Sequence, residues 1–276
     1  MKNKLIFVAV LPILALVILH NAPFPRNDLS IYDRADWWNP NSSFAILEKM
    51  NRVRVPYFVS KIRLATTNDH SNLSIADLGC GGGLVTENIA KIFANAKIVG
   101  YDMSEKSISI AREHGKKIPN LSYQVASLYD LPINNASVDV VIVSDVFEHL
   151  ENLPRALDEI SRVLKPEGIL VFDTIARTWW SFLTTYLVAQ EVLGIVERGA
   201  HDYHLFINPI ELETLLLSHA FETNPKQWEG IVAKLNFISP IKTGKLSDII
   251  ETFFSSNFDL SSSYMGYAVK KTTTSN

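Results

Sequence analysis

The stretch SIADLGCGGGLVTENIA, residues 74–90, decides how the rest of the chain is read. Its opening, Ser74–Leu78, is short, mostly apolar and reads as a strand. Gly79, Cys80, Gly81, Gly82 and Gly83 follow, and then a helical pattern from Leu84 to Phe93. A strand that turns through glycines into a helix lets a ligand approach the backbone, because Cβ atoms are missing. The helix start adds N–H groups without intrahelical partners, which suit a polar ligand. Asp102 ends the next strand, Lys97–Tyr101, 25 residues after Asp77. A carboxylate at that place accepts the ribose hydroxyls of a nucleoside. NAD, or a glycine turn with no nucleotide at all, are the competing readings of the same spacing.

Outward from this unit the pattern alternates. Helices are expected over Ser43–Leu64, Ser104–Lys117, Leu153–Leu164 and Pro209–Ala220, with Ser104 as an N-cap. Strands are expected over Leu121–Val125, Val138–Ser144 and Ile169–Thr174. The β-branched run Val138–Ser144 has the composition of a buried central strand. Alternating strands and helices predict an α/β fold, a mostly parallel sheet covered by helices on both faces. Gly230–Phe237 and Ser263–Lys270 are weaker strand candidates that could pair antiparallel at an edge.

The D-x-G-x-G-x-G run with an acidic second strand end resembles the cofactor site of class I S-adenosylmethionine (SAM)-dependent methyltransferases. That resemblance implies a Rossmann-like, seven-stranded fold. It implies that Asp77 begins the cofactor turn, that Gly79, Gly81 and Gly83 line the methionine part of SAM, that Asp102 holds the ribose, and that Met103 packs on the adenine. Ser127 and Leu128 match the position flanking the adenine edge. A narrower resemblance spans roughly residues 30–220. Trp37-Trp38, Asn51-x-x-Arg54, Glu148-His149, Gly199-x-His201-Asp202 and Phe206-Ile207-x-Pro209 are similar to motifs of the ubiquinone-biosynthesis O-methyltransferases. Those enzymes methylate hydroxyls of polyprenylated catechols. The resemblance implies that Arg54 pairs with the SAM carboxylate and that Ser144 contacts the cofactor.

Asp145 to His149 follows the fourth strand, in the crevice where such sheets bind ligands. In the family the matching E-x-x-E-H holds a divalent cation; here Asp145 replaces its first Glu. Asp145, Glu148 and His149 suit magnesium, manganese or zinc, which would activate the attacking hydroxyl. Alternatively His149 acts as a general base with Glu148 beside it, or the segment only orients a loop. His201-Asp202 either lines the substrate pocket or locks the neighbouring insert. Cys80, the only cysteine, reads as a packing residue, and a single thiol excludes disulfide frameworks and cysteine-built zinc sites.

A net charge of −3 shows no broad basic field, so nucleic acid is not favoured as a partner. Lys2 and Lys4 precede an apolar run, Leu5–Leu19, broken only by Pro12. It is shorter than the roughly 20 residues that span a bilayer comfortably. Residues 1–22 are therefore read as an anchor, with a cleaved signal or a buried helix as alternatives. Residues 23–72 read as a linker and helix, and 73–271 as the methyltransferase domain with an apolar insert at 177–198. Within the insert, Trp179, Trp180, Phe182, Leu183 and Tyr186 fit a lid over an apolar pocket or a surface lying in the lipid interface. The expected activity is O-methylation of a lipophilic aromatic acceptor at a membrane, with the catalytic domain facing the cytosol. Another membrane-associated acceptor, or a non-catalytic SAM-binding scaffold, are the alternatives.

Overall fold

The computed structural model of the 276-residue chain describes residues 27–66, 72–236, 239, 242, 244, 250–256 and 259–272. The apolar run Leu5–Leu19, with the expected anchor, lies outside them. No helix among the described residues is long and apolar enough to cross a membrane.

The alternation read from the sequence is present in the fold. A short helix α1 (Ser30–Asp33) and a long α2 (Ala45–Ala65) precede β1 (Ser74–Leu78), α3 (Leu84–Ile92), β2 (Lys97–Asp102), α4 (Glu105–Gly115) and β3 (Leu121–Val125). Next come β4 (Val138–Ser144), a one-turn helix Phe147–His149, α5 (Leu153–Val163) and β5 (Leu164–Ile175). The insert begins as α6 (Trp179–Ser181) and continues as a wider π-helix, Phe182–Val192. Helix α7 (Pro209–Ser218) leads to β6 (Phe221–Glu222), β7 (Glu229–Leu235), β8 (Ile250–Ser256) and β9 (Ser263–Lys270). The Ser104 side chain caps α4 by accepting from Ser107 N–H at 3.1 Å, as expected.

The sheet runs β3-β2-β1-β4-β5-β9-β7-β8, with β6 paired to β9. Strands β1 to β5 are parallel; β9 pairs antiparallel to β5 and β7 antiparallel to β9. The two weak strand candidates therefore do pair, as β7 and β9. Their position differs from the expectation: β8 covers β7 and forms the edge. Among the described residues the sheet has nine strands where the resemblance implied seven. β6 is two residues long, and β8 carries Ser255 and Ser256 without a clean alternation, so neither gives a sequence signal.

Strand periodicity sorts the core into two layers. Ile75, Ile98, Val140, Ile142, Ile169 and Val171 face α2 and α3, where Phe58, Ile62 and Ile89 are buried. Ala76, Leu78, Val141, Val143, Leu170 and Phe172 face α5 and α7, through Leu157, Ile160, Leu212 and Leu216. Each of the Val, Leu, Ile and Phe side chains contributes about 1.5–3 kcal/mol on burial. With both faces covered, the open side is the carboxyl end of the strands. The chain leaves β1 toward β2 and β3, then returns to β4 and β5 on the other side, so the crevice opens between β1 and β4.

Candidate active site

Both segments singled out from the sequence meet at that crevice: the glycine turn after β1 and Asp145–His149 after β4. They share one cavity of about 820 Å³, which is large for a small-molecule site.

On the β1 side, Gly79, Gly81 and Gly83 have φ of +75°, +51° and +86°, a left-handed backbone that only glycine adopts without strain. The space their missing Cβ atoms leave is filled by the protein itself. A Cβ on Gly81 or Gly82 would stand 2.4 or 2.2 Å from the Trp37 indole. One on Gly79 would meet Val146 at 2.4 Å, and one on Gly83 the Tyr123 hydroxyl at 2.3 Å. The glycines are therefore required by close packing inside the protein as well as by any ligand at the turn. Gly79, Cys80 and Gly81 line the cavity, whereas Gly83 does not and instead opens α3 against Tyr123.

Asp102 lines the cavity, its Oδ2 accepting from Gly81 N–H and its Oδ1 from Ser104 N–H, both at 2.8 Å. Burial pushes its carboxyl up, and the N–H groups of Ser104 and Gly81 oppose that shift. Two backbone bonds lock its orientation and leave each oxygen a further lone pair. Met103, Ser127 and Leu128 line the same end, Met103 largely exposed. Asp77 also lines the cavity; it is buried, accepts from Thr86 Oγ1 at 2.6 Å and is pushed up to about 7 by burial. Cys80 is buried and its thiol is pushed well up by burial, which suits packing and not nucleophilic attack.

On the β4 side lies a buried ionic network. The Arg54 guanidinium bonds to Asp145 and stands 3.3 Å from Asp173 Oδ2, while its Nε donates to Asn51 at 2.7 Å. Ser144 Oγ donates to Asp173 at 2.5 Å. Arg54 and Ser144 both line the cavity, and Arg54 already holds two carboxylates. Burial pushes Asp145 up, yet the charge and hydrogen bond of Arg54 outweigh it, and its carboxyl lies below the usual range. Burial and then the charge of Asp145 push Asp173 well up.

Asp145 is therefore engaged with Arg54 and does not join Glu148 and His149. Its φ of +52° and short side chain turn it toward the arginine. The third member is His201, from the loop after the insert: ligand atoms of Glu148, His149 and His201 all lie within 4.8 Å of one another. The His149 and His201 rings stack with centroids 5.2 Å apart. Glu148 is fully buried; its Oε2 accepts from Thr174 at 2.7 Å, and its Oε1 has no partner. Burial, then the charge of Asp145, push Glu148 well up. Burial, then His201, push His149 down to about 3, and burial takes His201 to about 4. Both imidazoles are neutral at physiological pH.

The insert roofs the cavity with Trp180, Leu183, Val188 and Leu193, while Ile231, Ile250 and Phe253 close it from β7 and β8. Sequence reading missed Asn27, Tyr32, Asp173 and Thr174. The first two lie in a stretch rich in Pro, Asn and Asp that reads as a linker; in the fold, residues 27–44 pack onto the crevice. Trp37 Nε1 donates to Ser107 at 3.1 Å, and Trp38 Nε1 to the Gly82 carbonyl at 3.0 Å. Asp173 and Thr174 had no signal beyond their place at the end of β5.

Comparison with known proteins agrees with this geometry. A family model described as a methyltransferase domain matches residues 76–172. The ubiquinone biosynthesis O-methyltransferase of Rickettsia typhi is 34% identical over 201 residues, 72% of this chain and 79% of that protein. The mitochondrial ubiquinone biosynthesis O-methyltransferase of Rattus norvegicus is 34% identical over 65% of this chain and 54% of its own length. Among solved structures, magnesium protoporphyrin IX methyltransferase from Synechocystis PCC 6803 superposes with a TM-score of 0.58 at 15% identity, covering 89% of this chain and 96% of that one. A SAM-dependent methyltransferase from Aquifex aeolicus gives 0.53 at 13% identity, over 83% of this chain and 98% of that one. These two show the fold. The Rickettsia typhi relative, matched over 72% of this chain, shows the lineage: this chain belongs to the ubiquinone biosynthesis O-methyltransferase family and is a SAM-dependent methyltransferase.

Proposed function

We propose that this protein transfers the methyl group of SAM to a hydroxyl of a lipophilic aromatic acceptor, a polyprenyl catechol or related quinone precursor. One observation carries the reading. The Asp102 end, His149 and His201, and the apolar roof of the insert all line one cavity, with Glu148 buried behind the two histidines. A nucleoside held at one end and an aromatic hydroxyl held at the other meet in a shared, mostly apolar space.

SAM, when bound, supplies a methyl group on a positively charged sulfur. The protein's part is to align that carbon with the acceptor oxygen and to take a proton. Asp102 and the Gly79–Gly81 backbone fix the nucleoside end. With SAM held there, the acceptor oxygen would bond to the methyl carbon as the carbon–sulfur bond breaks and its electron pair stays on sulfur. The hydroxyl proton passes to His149 Nε2. Burial keeps that imidazole neutral and makes it a weaker base than usual, and its Nε2 accepts from the Tyr32 hydroxyl at 2.9 Å, which the acceptor hydroxyl would have to displace.

The unpartnered Glu148 Oε1 beside two neutral imidazoles also fits a divalent cation held by Glu148, His149 and His201. Such an ion would polarise the acceptor oxygen and favour ionised Glu148. Two imidazoles and one carboxylate suit manganese or zinc better than magnesium.

Trp179, Trp180 and Val192, all more than half exposed on the insert, support contact with lipid at the cavity roof. The apolar run Leu5–Leu19 supports attachment at the membrane, with the catalytic domain on the side where SAM is made. The experiment is incubation of the full chain with SAM and a short-chain prenyl catechol, with and without chelator, read by mass spectrometry. Methylated acceptor is the expected result. Absence of product with every phenolic acceptor tried overturns the substrate claim, and activity unaffected by chelator removes the cation.

A further inference from the structure

His149 meets two side chains from the stretch that reads as a linker. Asn27 Oδ1 lies 2.9 Å from His149 Nδ1, and Asn27 Nδ2 donates to the His149 carbonyl at 3.1 Å. An amide oxygen only accepts, so the proton sits on Nδ1 and the lone pair on Nε2. The second bond decides which way the amide faces. Flipping it would set two carbonyl oxygens against each other and two donors against each other. Nε2 faces the Tyr32 hydroxyl at 2.9 Å, which donates to it as an acceptor's hydroxyl would.

His201 is held in the same way. Gln190 Oε1 accepts from the His201 backbone N–H at 3.0 Å and stands 3.1 Å from its Nδ1. Gln190 Nε2 donates to Glu191 at 2.9 Å, which fixes this amide too. Two amide side chains thus place two stacked histidines in the same tautomer. The Asn27 backbone, with φ of +54°, lies in a region that asparagine tolerates better than other side-chained residues. Asp28 N–H, next to it, donates to the Gly199 carbonyl at 2.9 Å, tying this stretch to the loop that carries His201.

We propose that Asn27 is a positioning residue of the methyl transfer, fixing His149 as the Nδ1–H tautomer so that Nε2 offers its lone pair to the acceptor hydroxyl, with Gln190 fixing His201 alike. The opposite tautomer would present an N–H where a base or a metal ligand is required. This inference rests on His149 being the proton acceptor, or a ligand of the ion that does that work.

The test uses the full chain labelled with 15N-histidine, comparing wild type with Asn27→Leu, Asn27→Asp and His149→Gln, the last assigning the ring signals. Wild type is expected to show His149 with Nδ1 protonated and Nε2 bare. Asn27→Leu is expected to show mixed tautomers and a kcat lowered about 10- to 100-fold, less than the roughly 10²–10⁴-fold of losing a positioned base outright, because part of the population keeps the working tautomer. Its KM for SAM should change less than about threefold, because Asn27 does not touch the Asp102 end. Asn27→Asp retains an acceptor for Nδ1–H but loses the donor to the His149 carbonyl, and is expected to restore the tautomer and part of kcat. An unchanged tautomer in Asn27→Leu, or wild-type kcat with the tautomer lost, overturns the proposal. If Asn27→Leu does not fold, Asn27→Asp with the wild-type tautomer supports the proposal, and with the opposite tautomer it overturns it. Failure of the functional reading shows separately, as wild-type kcat in His149→Gln.

Discussion

Replacing Arg54 by methionine removes a charge that two buried carboxylates share. Methionine keeps much of the volume, so the main effect is electrostatic. At the 3.3 Å separation of Arg54 from Asp173, an effective dielectric of about 20 gives an attraction of about 5 kcal/mol whenever that carboxyl is ionised. Removing one partner of a buried pair costs about 3–5 kcal/mol, because the other is left charged and unsolvated. Asp173 is almost fully buried and Asp145 mostly so, which places the expected loss in that range at pH 7. The pH dependence follows from the signs. Arg54 holds Asp145 low, and Asp173 already lies well above its ordinary value through burial and the charge of Asp145. Without Arg54 both folded values stand above the unfolded one. The folded state then binds more protons than the unfolded state between those values, so its stability falls as pH rises through that window. The deficit should therefore be largest near pH 7 and shrink toward pH 4–5. Urea unfolding followed by tryptophan fluorescence at several pH values measures it. A loss under about 1 kcal/mol at pH 7, or a loss that does not vary with pH, would refute the argument that this network is held by the arginine charge.

Asp102→Ala removes the acceptor of two backbone N–H groups and the proposed partner of the ribose. Charge-assisted bonds of about 1.5–3 kcal/mol imply SAM binding weakened roughly 10- to 100-fold by calorimetry; unchanged affinity would place the cofactor elsewhere. His149 and His201 have folded values near 3 and 4 against an unfolded value near 6.5. The unfolded state protonates first, so the stability they contribute is present above about pH 6.5 and declines as pH falls toward those folded values. His201→Gln should flatten this decline in the unfolding midpoint, and an identical acid profile would count against neutral burial. Trp179→Ala combined with Trp180→Ala should reduce sedimentation with lipid vesicles while leaving SAM affinity intact; equal sedimentation would remove the insert from the lipid contact.

By itself, the sequence determined the parallel strands, their cover of helices on both faces, and the glycine turn and Asp102 at the carboxyl ends of β1 and β2. Those features rest on local signals: β-branched runs, helical spacing, a glycine turn and the carboxylate of Asp102. The wrapping of residues 27–44, the pairing of Asp145 with Arg54, and the entry of His201 into the Glu148–His149 cluster were decided only by tertiary structure. Each depends on residues far apart in the chain meeting across the crevice; Asn27 and His149, for example, are separated by 122 positions. A carboxylate such as Asp145 reads equally well as a metal ligand or an arginine partner until the backbone sets its direction. Likewise an asparagine in a polar stretch looks like a turn residue until a histidine nitrogen is found against it, because hydrogen-bond direction is a property of three-dimensional placement and leaves no periodicity in the chain.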